Sequence, residues 1–227
     1  MSSGRRLLTI CGTDTGVGKT VVTASIARAA LDAGLSVRVL KPVQTGSGED
    51  DDAAEVDRLC GAKIAVTGWR LNAALAPSVA ARMEGMRLNP RDIGEWTRDN
   101  SVGADVVVVE TAGGAAVQLD GDYDMARLAA DLGHDVTIVC RAGLGTLNHT
   151  LLTANHLRQR GASVLGLVVS GYPDRPGLAE RTNLDELPRV TGLPVIGVIP
   201  LLPELTAGGM RPASSWLSPA LGGASES

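Results

Sequence analysis

The sequence predicts an α/β fold in which helices cover both faces of a mostly parallel β-sheet. Two observations support this prediction. Short apolar runs typical of buried strands alternate along the chain with longer segments typical of helices, and this alternation implies parallel strands. Aromatic residues make up only 2% of the chain and phenylalanine is absent, so Ala, Val, Leu and Ile must fill the core. Such a core suits a parallel sheet between closely packed helices.

The predicted strands and helices follow one another in a regular order. Four consecutive valines within residues 104–110 indicate a strand that is buried on both faces. Asn89-Pro90 predicts a capped helix start, whereas Pro42 predicts that residues 41–48 leave the sheet as a loop. The predicted strands are residues 7–11, 36–40, 104–110, 136–140, 164–169 and 195–199. The predicted helices are residues 21–30, 53–60, 75–83 after a turn, 89–98, 125–132, 147–157 and 178–190.

Length and charge are typical of one soluble domain. We expect a single domain over residues 1–227, with a weakly patterned tail at about 201–227 that ends loosely in residues 222–227. The net charge of −4, without a dense basic block, argues against a nucleic-acid partner. The N-terminus has no long apolar stretch, so we expect neither a secretory signal nor a membrane span, and a cytoplasmic location.

The cysteines and histidines do not suggest a metal centre. The three cysteines are far apart and show no metal-binding spacing, so we expect small buried side chains in a reducing compartment. His149 and His156 lie two helical turns apart. We expect both on a helix surface or interface, because no carboxylate partner or third ligand is placed near them.

The glycine-rich loop of residues 12–20, GTDTGVGKT, is the most informative motif in the chain. A predicted strand precedes it and a predicted helix follows, which is the context of a phosphate-binding loop and of a P-loop NTPase-like fold. Glycines let backbone N–H groups and the helix N-terminus approach an anion closely. Five residues, rather than the usual four, separate Gly12 from Gly18, so an ordinary Gly/Thr turn is the alternative.

Several polar residues follow predicted strands, and the carboxyl ends of parallel strands meet at one edge of a sheet. Within the loop, Lys19 can reach the terminal phosphates of a nucleotide and the Thr20 hydroxyl can ligate Mg²⁺. A second lysine, Lys41, can neutralise charge that develops during phosphoryl transfer, although a solvated lysine at a strand end is equally compatible with the sequence. The sequence therefore predicts one continuous site formed by the loops that carry Lys19, Lys41, Asp52, Glu110, Gly145 and Ser170.

Two acidic residues are candidate ligands for Mg²⁺, which prefers oxygen donors. Glu110 ends the all-valine strand beside a glycine pair, and a solvated strand-end acid is its alternative. Asp52 has Asp50 and Asp51 as adjacent candidates, and acidic residues at a helix start are expected from the helix dipole alone. Residues 143–146 precede a helix and could bind an anion, but a glycine turn with an N-cap at Thr146 or Asn148 is the simpler interpretation.

Together these motifs resemble the ATP-dependent dethiobiotin synthetases over about residues 6–200. The resemblance rests on residues 12–20 with their five-residue spacing, and on KPVQTG (41–46), Asp52-Ala53, ETAGG (110–114), LGTLNH (144–149) and GVIP (197–200). It implies ATP- and Mg²⁺-dependent carboxylation and ring closure of 7,8-diaminopelargonic acid with CO₂. The implied products are dethiobiotin, ADP and phosphate, formed through an N-carbamate and a carbamic–phosphoric anhydride in biotin biosynthesis.

The resemblance also implies roles for individual residues and a homodimer with the active site at its interface. It implies Lys41, Lys19 and Thr15 as catalytic residues and Thr20, Asp52 and Glu110 as magnesium ligands. The nucleotide contacts would be Gly16, Val17, Gly18, Lys19, Thr20, Val21, Asp52, Glu110, Thr111, Ala112, Gly113, Ser170, Gly171, Pro200, Leu201 and Leu202. The diamine would contact Thr45 and Pro77 and, from the other subunit, Leu144, Gly145, Thr146, Leu147 and Asn148.

The chain departs from the family pattern at two places. Thr111 replaces a glycine, and a positive φ there would be costly and would reshape the loop. Ser170-Gly171 replaces an Asn-Asp pair that reads adenine, so base selection is expected to be relaxed or to favour another nucleotide such as CTP.

Two other functions are alternatives. A partitioning or cell-division ATPase switch has a lysine in its loop where this chain has Asp14. A cobyrinate- or cobyric-type amide synthetase needs an additional glutaminase domain, for which the chain is too short.

Overall fold

The computed structural model describes residues 5–48, 51–207, 209–210 and 213–221. The strands are β1 (Arg6–Gly12), β2 (Val37–Thr45), β3 (Ala65–Leu71), β4 (Val106–Gly114), β5 (Gln118–Asp120), β6 (Tyr123–Asp124), β7 (Asp135–Arg141), β8 (Val164–Tyr172) and β9 (Val195–Pro200). The helices are α1 (Lys19–Asp32), α2 (Asp52–Cys60), α3 (Pro77–Met83), α4 (Pro90–Asn100), α5 (Met125–Leu132), α6 (Thr146–Gln159), α7 (Leu178–Thr191) and α8 (Ala213–Trp216), followed by a 3₁₀ turn (Pro219–Leu221).

Seven strands form one sheet in the order β3-β2-β4-β1-β7-β8-β9, and all neighbouring pairs are parallel. The valine run of β4 shows why the sheet is buried on both faces. Val106 and Val108 pack with the core of α1, whereas Val107 and Val109 pack on the opposite face with Trp96 of α4. This architecture confirms the predicted α/β fold class. The short pair β5 and β6 forms a separate antiparallel ribbon.

Helices cover both faces of the sheet. α1 and α2 pack on one face, and α4 to α7 supply the contacts on the other. All helices predicted from the sequence are present, and the capped start at Asn89-Pro90 is confirmed because Asn89 Oδ1 accepts a hydrogen bond from the N–H of Arg91 at 3.0 Å. None of the described helices has the length and apolar character needed to cross a membrane.

The C-terminal residues contribute to the core, although their sequence pattern is weak. Met210, Leu217 and Leu221 are buried in the same cluster as α1. Leu217 also forms an isolated antiparallel bridge to Gly197 of β9, where a Cβ would lie 3.0 Å from a methyl group of Leu217. Glycine at this position therefore allows the C-terminal segment to dock. The predicted loose tail at residues 222–227 lies outside the described residues.

The structure corrects the sequence interpretation at the predicted loop after β2 and at three strands that were not predicted, β3, β5 and β6. Residues 41–45 continue β2 and pair with β3, whereas the pairing of β2 with β4 ends at Leu40. A strand that is bonded on one side tolerates the missing N–H of Pro42. Strand β3 was not predicted because it is a half-exposed edge strand interrupted by Gly68, without a continuous apolar run.

The expectation that His156 lacks a carboxylate partner is wrong. Its Nε2 lies 2.8 Å from Oδ2 of Asp124, a buried carboxylate that also pairs with Arg160 at 2.9 Å. Asp124 lies 32 positions away in sequence, so helical spacing alone did not reveal the contact. His149 is exposed, as expected.

His134 should make folding sensitive to mildly acidic pH. It is buried, and its Nδ1 lies 3.2 Å from the hydroxyl of Thr9. Burial, with the nearby charges of Arg5 and Arg98, lowers the pKa of His134 to about 4. The folded state therefore holds neutral His134, while the unfolded chain takes up a proton below about pH 6.5.

We predict that the free energy of unfolding falls by about 3 kcal/mol through this group as pH decreases from 6.5 to below 4. Urea unfolding of the wild type and His134→Asn at several pH values isolates the contribution. The difference in unfolding free energy between the two proteins should shrink toward acid pH. A difference that does not change with pH would contradict the lowered pKa of His134.

Candidate functional site

The phosphate loop connects β1 to α1 at the carboxyl edge of the sheet. Gly18 is the N-cap of α1 and has a φ of 95°, which favours glycine. A Cβ at Gly18 would also collide with the hydroxyl of Ser170 on β8. The loop glycine is therefore fixed both by backbone conformation and by contact with a distant strand.

Lys19 lies folded over its own loop. Its side chain is buried, and Nζ donates a hydrogen bond to the carbonyl of Asp14 at 3.1 Å. Burial and the neighbouring Lys41 lower the pKa of Lys19. A bound anion at the loop would relieve the repulsion between these two cations.

Lys41 is the centre of a buried ion cluster. Its Nζ lies 2.9 Å from Glu110 Oε1 and 2.5 Å from Asp52 Oδ2, and it donates to the carbonyl of Thr111 at 3.3 Å. Lys41 is 4% exposed and Glu110 is 2% exposed. Although burial disfavours the charged lysine, the two carboxylates outweigh it and raise the pKa of Lys41. The charge of Lys41 likewise outweighs the burial of Asp52 and lowers the pKa of that carboxyl.

The structure distinguishes between two of the three adjacent aspartates. Asp51 is the N-cap of α2, where it accepts the N–H of Ala54 at 3.0 Å, and it pairs with Arg70 at 3.0 Å. Asp52 instead turns toward Lys41 and Thr20. Asp50 lies outside the described residues. Asp51 has the structural role expected of an acid at a helix start, and Asp52 joins the cluster.

The cluster presents oxygen donors of the kind that Mg²⁺ prefers. The hydroxyl oxygen of Thr20 lies 3.1 Å from both Asp52 Oδ1 and Glu110 Oε1, next to the phosphate loop. Two carboxylates, a hydroxyl and a nearby phosphate would fit the usual magnesium ligand set. The predicted ligands therefore come together from α1, α2 and β4.

Two cavities adjoin the phosphate loop. The main cavity has a volume of about 750 Å³ and the side cavity about 430 Å³, and Gly16, Gly18 and Val21 line both. Of the predicted site residues, the main cavity contains Thr15, Lys19, Thr20, Lys41, Thr45, Asp52, Pro77, Glu110, Ala112 and Gly113. The side cavity contains Val17, Ser170, Gly171, Pro200, Leu201 and Leu202.

Thr111 is the one predicted nucleotide contact near the loop that lines neither of these cavities. It is buried, and its hydroxyl donates to the carbonyl of Ile10 at 3.1 Å. No described residue other than glycine has a positive φ, and Gly113 takes that conformation two residues later, with a φ of 68°. Thr111 therefore does not bear the cost of a positive φ, and the condition on which a reshaped loop was expected is not met in this chain.

The predicted substrate residues at the start of α6 line neither of these two cavities, although the preceding Gly143 lines the side cavity. Leu144 is 92% exposed, Gly145 caps α6 with a φ of 87°, and Thr146 is buried beside Thr150. Leu147 packs partly into the core and Asn148 is exposed. Their predicted contact with the diamine of a second subunit stays a prediction.

The geometry adds residues that the sequence interpretation did not include. Arg141, at the end of β7, donates to the carbonyl of Thr15 at 3.3 Å and lies 3.9 Å from Asp14. Gln44 lines the main cavity, and Glu180 and Arg141 line the side cavity. The strand-end rule could have identified Arg141, whereas Glu180 sits on a helix and its position depends on tertiary packing.

Lys41→Met should strongly destabilise the protein because it leaves the buried carboxylate of Glu110 and the partly exposed carboxylate of Asp52 without their cation. We predict a loss of about 3–5 kcal/mol in unfolding free energy, measured by urea titration at pH 7. Adding Glu110→Gln should recover much of that loss, because the neutral amide needs no counter-ion.

The matched control is Lys63→Met, which removes an exposed lysine and should change stability by no more than about 0.5 kcal/mol. Equal effects of Lys41→Met and Lys63→Met would show that the buried cluster does not stabilise the fold.

Comparison with known sequences gives close relatives. The family model described as "AAA domain" matches residues 6–208. The ATP-dependent dethiobiotin synthetase of Rhodococcus jostii (strain RHA1) is 48% identical over 198 residues, covering 86% of each chain. That of Saccharopolyspora erythraea is 47% identical over 224 residues, covering 96% of this chain and 97% of the relative.

Solved structures with similar folds are more distant in sequence. The septum site-determining protein MinD of Pyrococcus horikoshii OT3, complexed with Mg-ADP, has a TM-score of 0.60 at 20% identity, covering 93% of this chain and 88% of that one. The cobyrinic acid a,c-diamide synthase of Mycobacterium smegmatis has a TM-score of 0.54 at 20% identity, covering 91% of each chain. These likenesses confirm the predicted P-loop NTPase-like fold and carry no functional assignment.

Proposed function

The chain belongs to the ATP-dependent dethiobiotin synthetase family, and from this premise we propose that it converts 7,8-diaminopelargonic acid, CO₂ and ATP into dethiobiotin, ADP and phosphate. The observation that supports this ligase activity most is the buried Lys41–Glu110–Asp52 cluster beside the phosphate loop. The cluster lines the main cavity of about 750 Å³, in which the triphosphate and the diamine would bind. The product would enter biotin biosynthesis, in the cytoplasm.

The nucleotide would place its phosphates on the loop and its base in the side cavity. Backbone N–H groups of residues 16–21 and the N-terminus of α1 would bind the phosphates. The side cavity begins at the same glycines and continues between Ser170 and Leu201. The lining residues that the two cavities share support a nucleotide that spans both of them.

Thr20, Asp52 and Glu110 would hold Mg²⁺ against the terminal phosphates. When bound, the ion would neutralise phosphate charge during transfer. Lys41 would then no longer be needed to neutralise both carboxylates, and its ammonium group could turn toward the reacting oxygens.

The proposed reaction has three steps. One amine of the diamine adds to CO₂ and loses a proton, which gives a carbamate. A carbamate oxygen attacks the γ-phosphorus of ATP, and the bond from this phosphorus to the bridging oxygen breaks. ADP departs, and a carbamic–phosphoric anhydride remains. The second amine attacks the anhydride carbon, phosphate and a proton depart, and the ureido ring closes. Lys19 and Lys41 would stabilise the charge that builds up on the transferred phosphoryl group.

The diamine would lie in the main cavity near Thr15, Thr45 and Pro77. All three residues line it within one chain. We further propose a homodimer in which residues 144–148 of the second subunit bind the carboxylate of the diamine. The exposure of Leu144, Gly145 and Asn148 in one chain supports this arrangement.

A direct assay tests the proposed function and the nucleotide together. Purified protein receives MgATP and bicarbonate with and without 7,8-diaminopelargonic acid, and CTP and GTP replace ATP in parallel reactions. We expect phosphate release that depends on the diamine, with dethiobiotin detected by mass. Because Ser170 offers one hydrogen bond where the family has an Asn-Asp pair, we expect CTP to support turnover as well. Phosphate release that does not depend on the diamine would favour a partitioning-type ATPase switch instead.

Asp52 and its neighbour Asp51 offer a matched pair of variants. We predict that Asp52→Asn lowers kcat at least tenfold and raises the Mg²⁺ concentration needed for half-maximal rate, because a metal ligand and a partner of Lys41 are lost. Asp51→Asn should cost at most about 1 kcal/mol of stability through the altered cap and leave the Mg²⁺ dependence unchanged. The same Mg²⁺ titration for both variants would refute the assignment of Asp52.

A further inference from the structure

The side cavity combines apolar walls with few polar groups. Val21, Leu201, Leu202, Leu205 and Pro173 supply apolar surface suited to the faces of a planar base. The polar side chains that line it are Ser170, Arg141 and Glu180. Ser170 lies against Gly18 of the phosphate loop and therefore marks the end of the cavity nearest the phosphates.

Glu180 is a half-buried carboxylate in the first turn of α7. One of its oxygens lies 3.5 Å from the position of a Cβ at Gly143, another residue of the cavity wall. Within the described part of the chain, no hydrogen bond or ion pair engages either carboxylate oxygen. The side chain therefore offers two free acceptors at a cavity lined mainly by apolar atoms.

The backbone beneath Glu180 is held firmly. Asn183 follows on the same helix and is buried, and its Nδ2 donates to the carbonyls of Ala142 at 2.8 Å and Gly143 at 3.2 Å. These bonds tie the start of α7 to the loop after β7. The backbone that carries Glu180 is thus anchored beside the cavity, which is the support that a residue discriminating between ligands requires.

We propose that Glu180 determines which nucleobase the chain accepts, by receiving a hydrogen bond from an exocyclic amino group of the base. The proposal rests on the proposed function, which places the base in the side cavity. An ionised carboxylate only accepts, so it pairs with the amino groups of adenine, cytosine or guanine and opposes a carbonyl oxygen in the same place. This contact would replace the selectivity that Ser170 alone cannot give.

Helix stabilisation is the competing explanation for Glu180. An acid in the first turn of a helix interacts favourably with the helix dipole, and the other carboxylate oxygen lies 2.7 Å from the position of a Cβ at Gly177, the N-cap of α7. If Glu180 had only that role, its removal would lower the thermal stability of the protein and would change the affinities for all nucleotides alike. The two explanations therefore differ in base selectivity.

Calorimetric titration of the full chain with Mg²⁺-nucleotides, without the diamine, distinguishes base recognition by Glu180 from helix stabilisation. The ligands are compared in pairs that differ at an amino group: ATP with purine riboside triphosphate, CTP with UTP, and GTP with ITP. We expect at least one amino-bearing nucleotide to bind about tenfold more tightly than its counterpart. Glu180→Ala should remove this difference by weakening the binding of the amino-bearing nucleotide. The affinities of purine riboside triphosphate and ITP should stay unchanged, and that of UTP should stay the same or rise, because the carboxylate no longer opposes its carbonyl oxygen.

Two further variants complete the test. Glu180→Gln keeps a neutral acceptor and should retain part of the difference, which guards against a folding defect in the alanine variant. Glu186 is an acid on the same helix that pairs with Arg189 at 2.6 Å and lines neither cavity. Glu186→Ala should therefore keep the full difference in affinity between the paired nucleotides.

The proposal would be overturned if Glu180→Ala lowered the affinities for both nucleotides of each pair equally, or if it changed no affinity. Only the role in helix stabilisation would then remain. Wild-type protein that binds no nucleotide would overturn the nucleotide site and the assignment of Glu180 together. Protein that discriminates through Glu180 but makes no dethiobiotin would overturn the proposed function alone.

Discussion

The ion pairs of buried Lys41 with two carboxylates are the interaction on which the centre of this molecule depends. Glu110 lies on a strand flanked by two others, where an unpaired charge would be very costly, and Lys41 from the neighbouring strand neutralises it. Asp52 and Thr20 complete the cluster, so the same contacts join β2, β4, α1 and α2. The polar groups that a phosphoryl-transfer site would use are therefore also groups on which the packing of four elements depends.

Much of this arrangement follows from local sequence. An all-valine strand has to be buried on both faces, and a parallel sheet has to collect its strand ends at one edge. These two constraints predicted that Lys19, Lys41, Asp52 and Glu110 lie together, and the structure places all four around one cavity. The phosphate loop could be identified because its glycines, lysine and threonine are contiguous in sequence.

The remaining features depend on contacts between distant residues. Ser170 blocks a side chain at Gly18 although 152 positions separate them, a contact that no local pattern contains. Asp51 and Asp52 look equivalent in sequence, and only the direction of α2 separates the cap from the cluster member. Edge strand β3 pairs on one side and is half exposed, so its apolar signal is weak. The septum site-determining protein MinD has a similar fold at only 20% identity, so the fold alone does not specify the site residues.

The docked C-terminal segment has a consequence for the order in which the chain can fold. Helix α1 carries Lys19 and Thr20 near the start of the sequence, yet its buried face is covered by Met210, Leu217 and Leu221 near the end. Strand β1 is likewise enclosed by β4 and β7, both of which follow much later. During synthesis α1 is therefore made well before the residues that cover this part of its surface. The packing of α1, the helix that follows the phosphate loop, is therefore completed only when Met210, Leu217 and Leu221 dock.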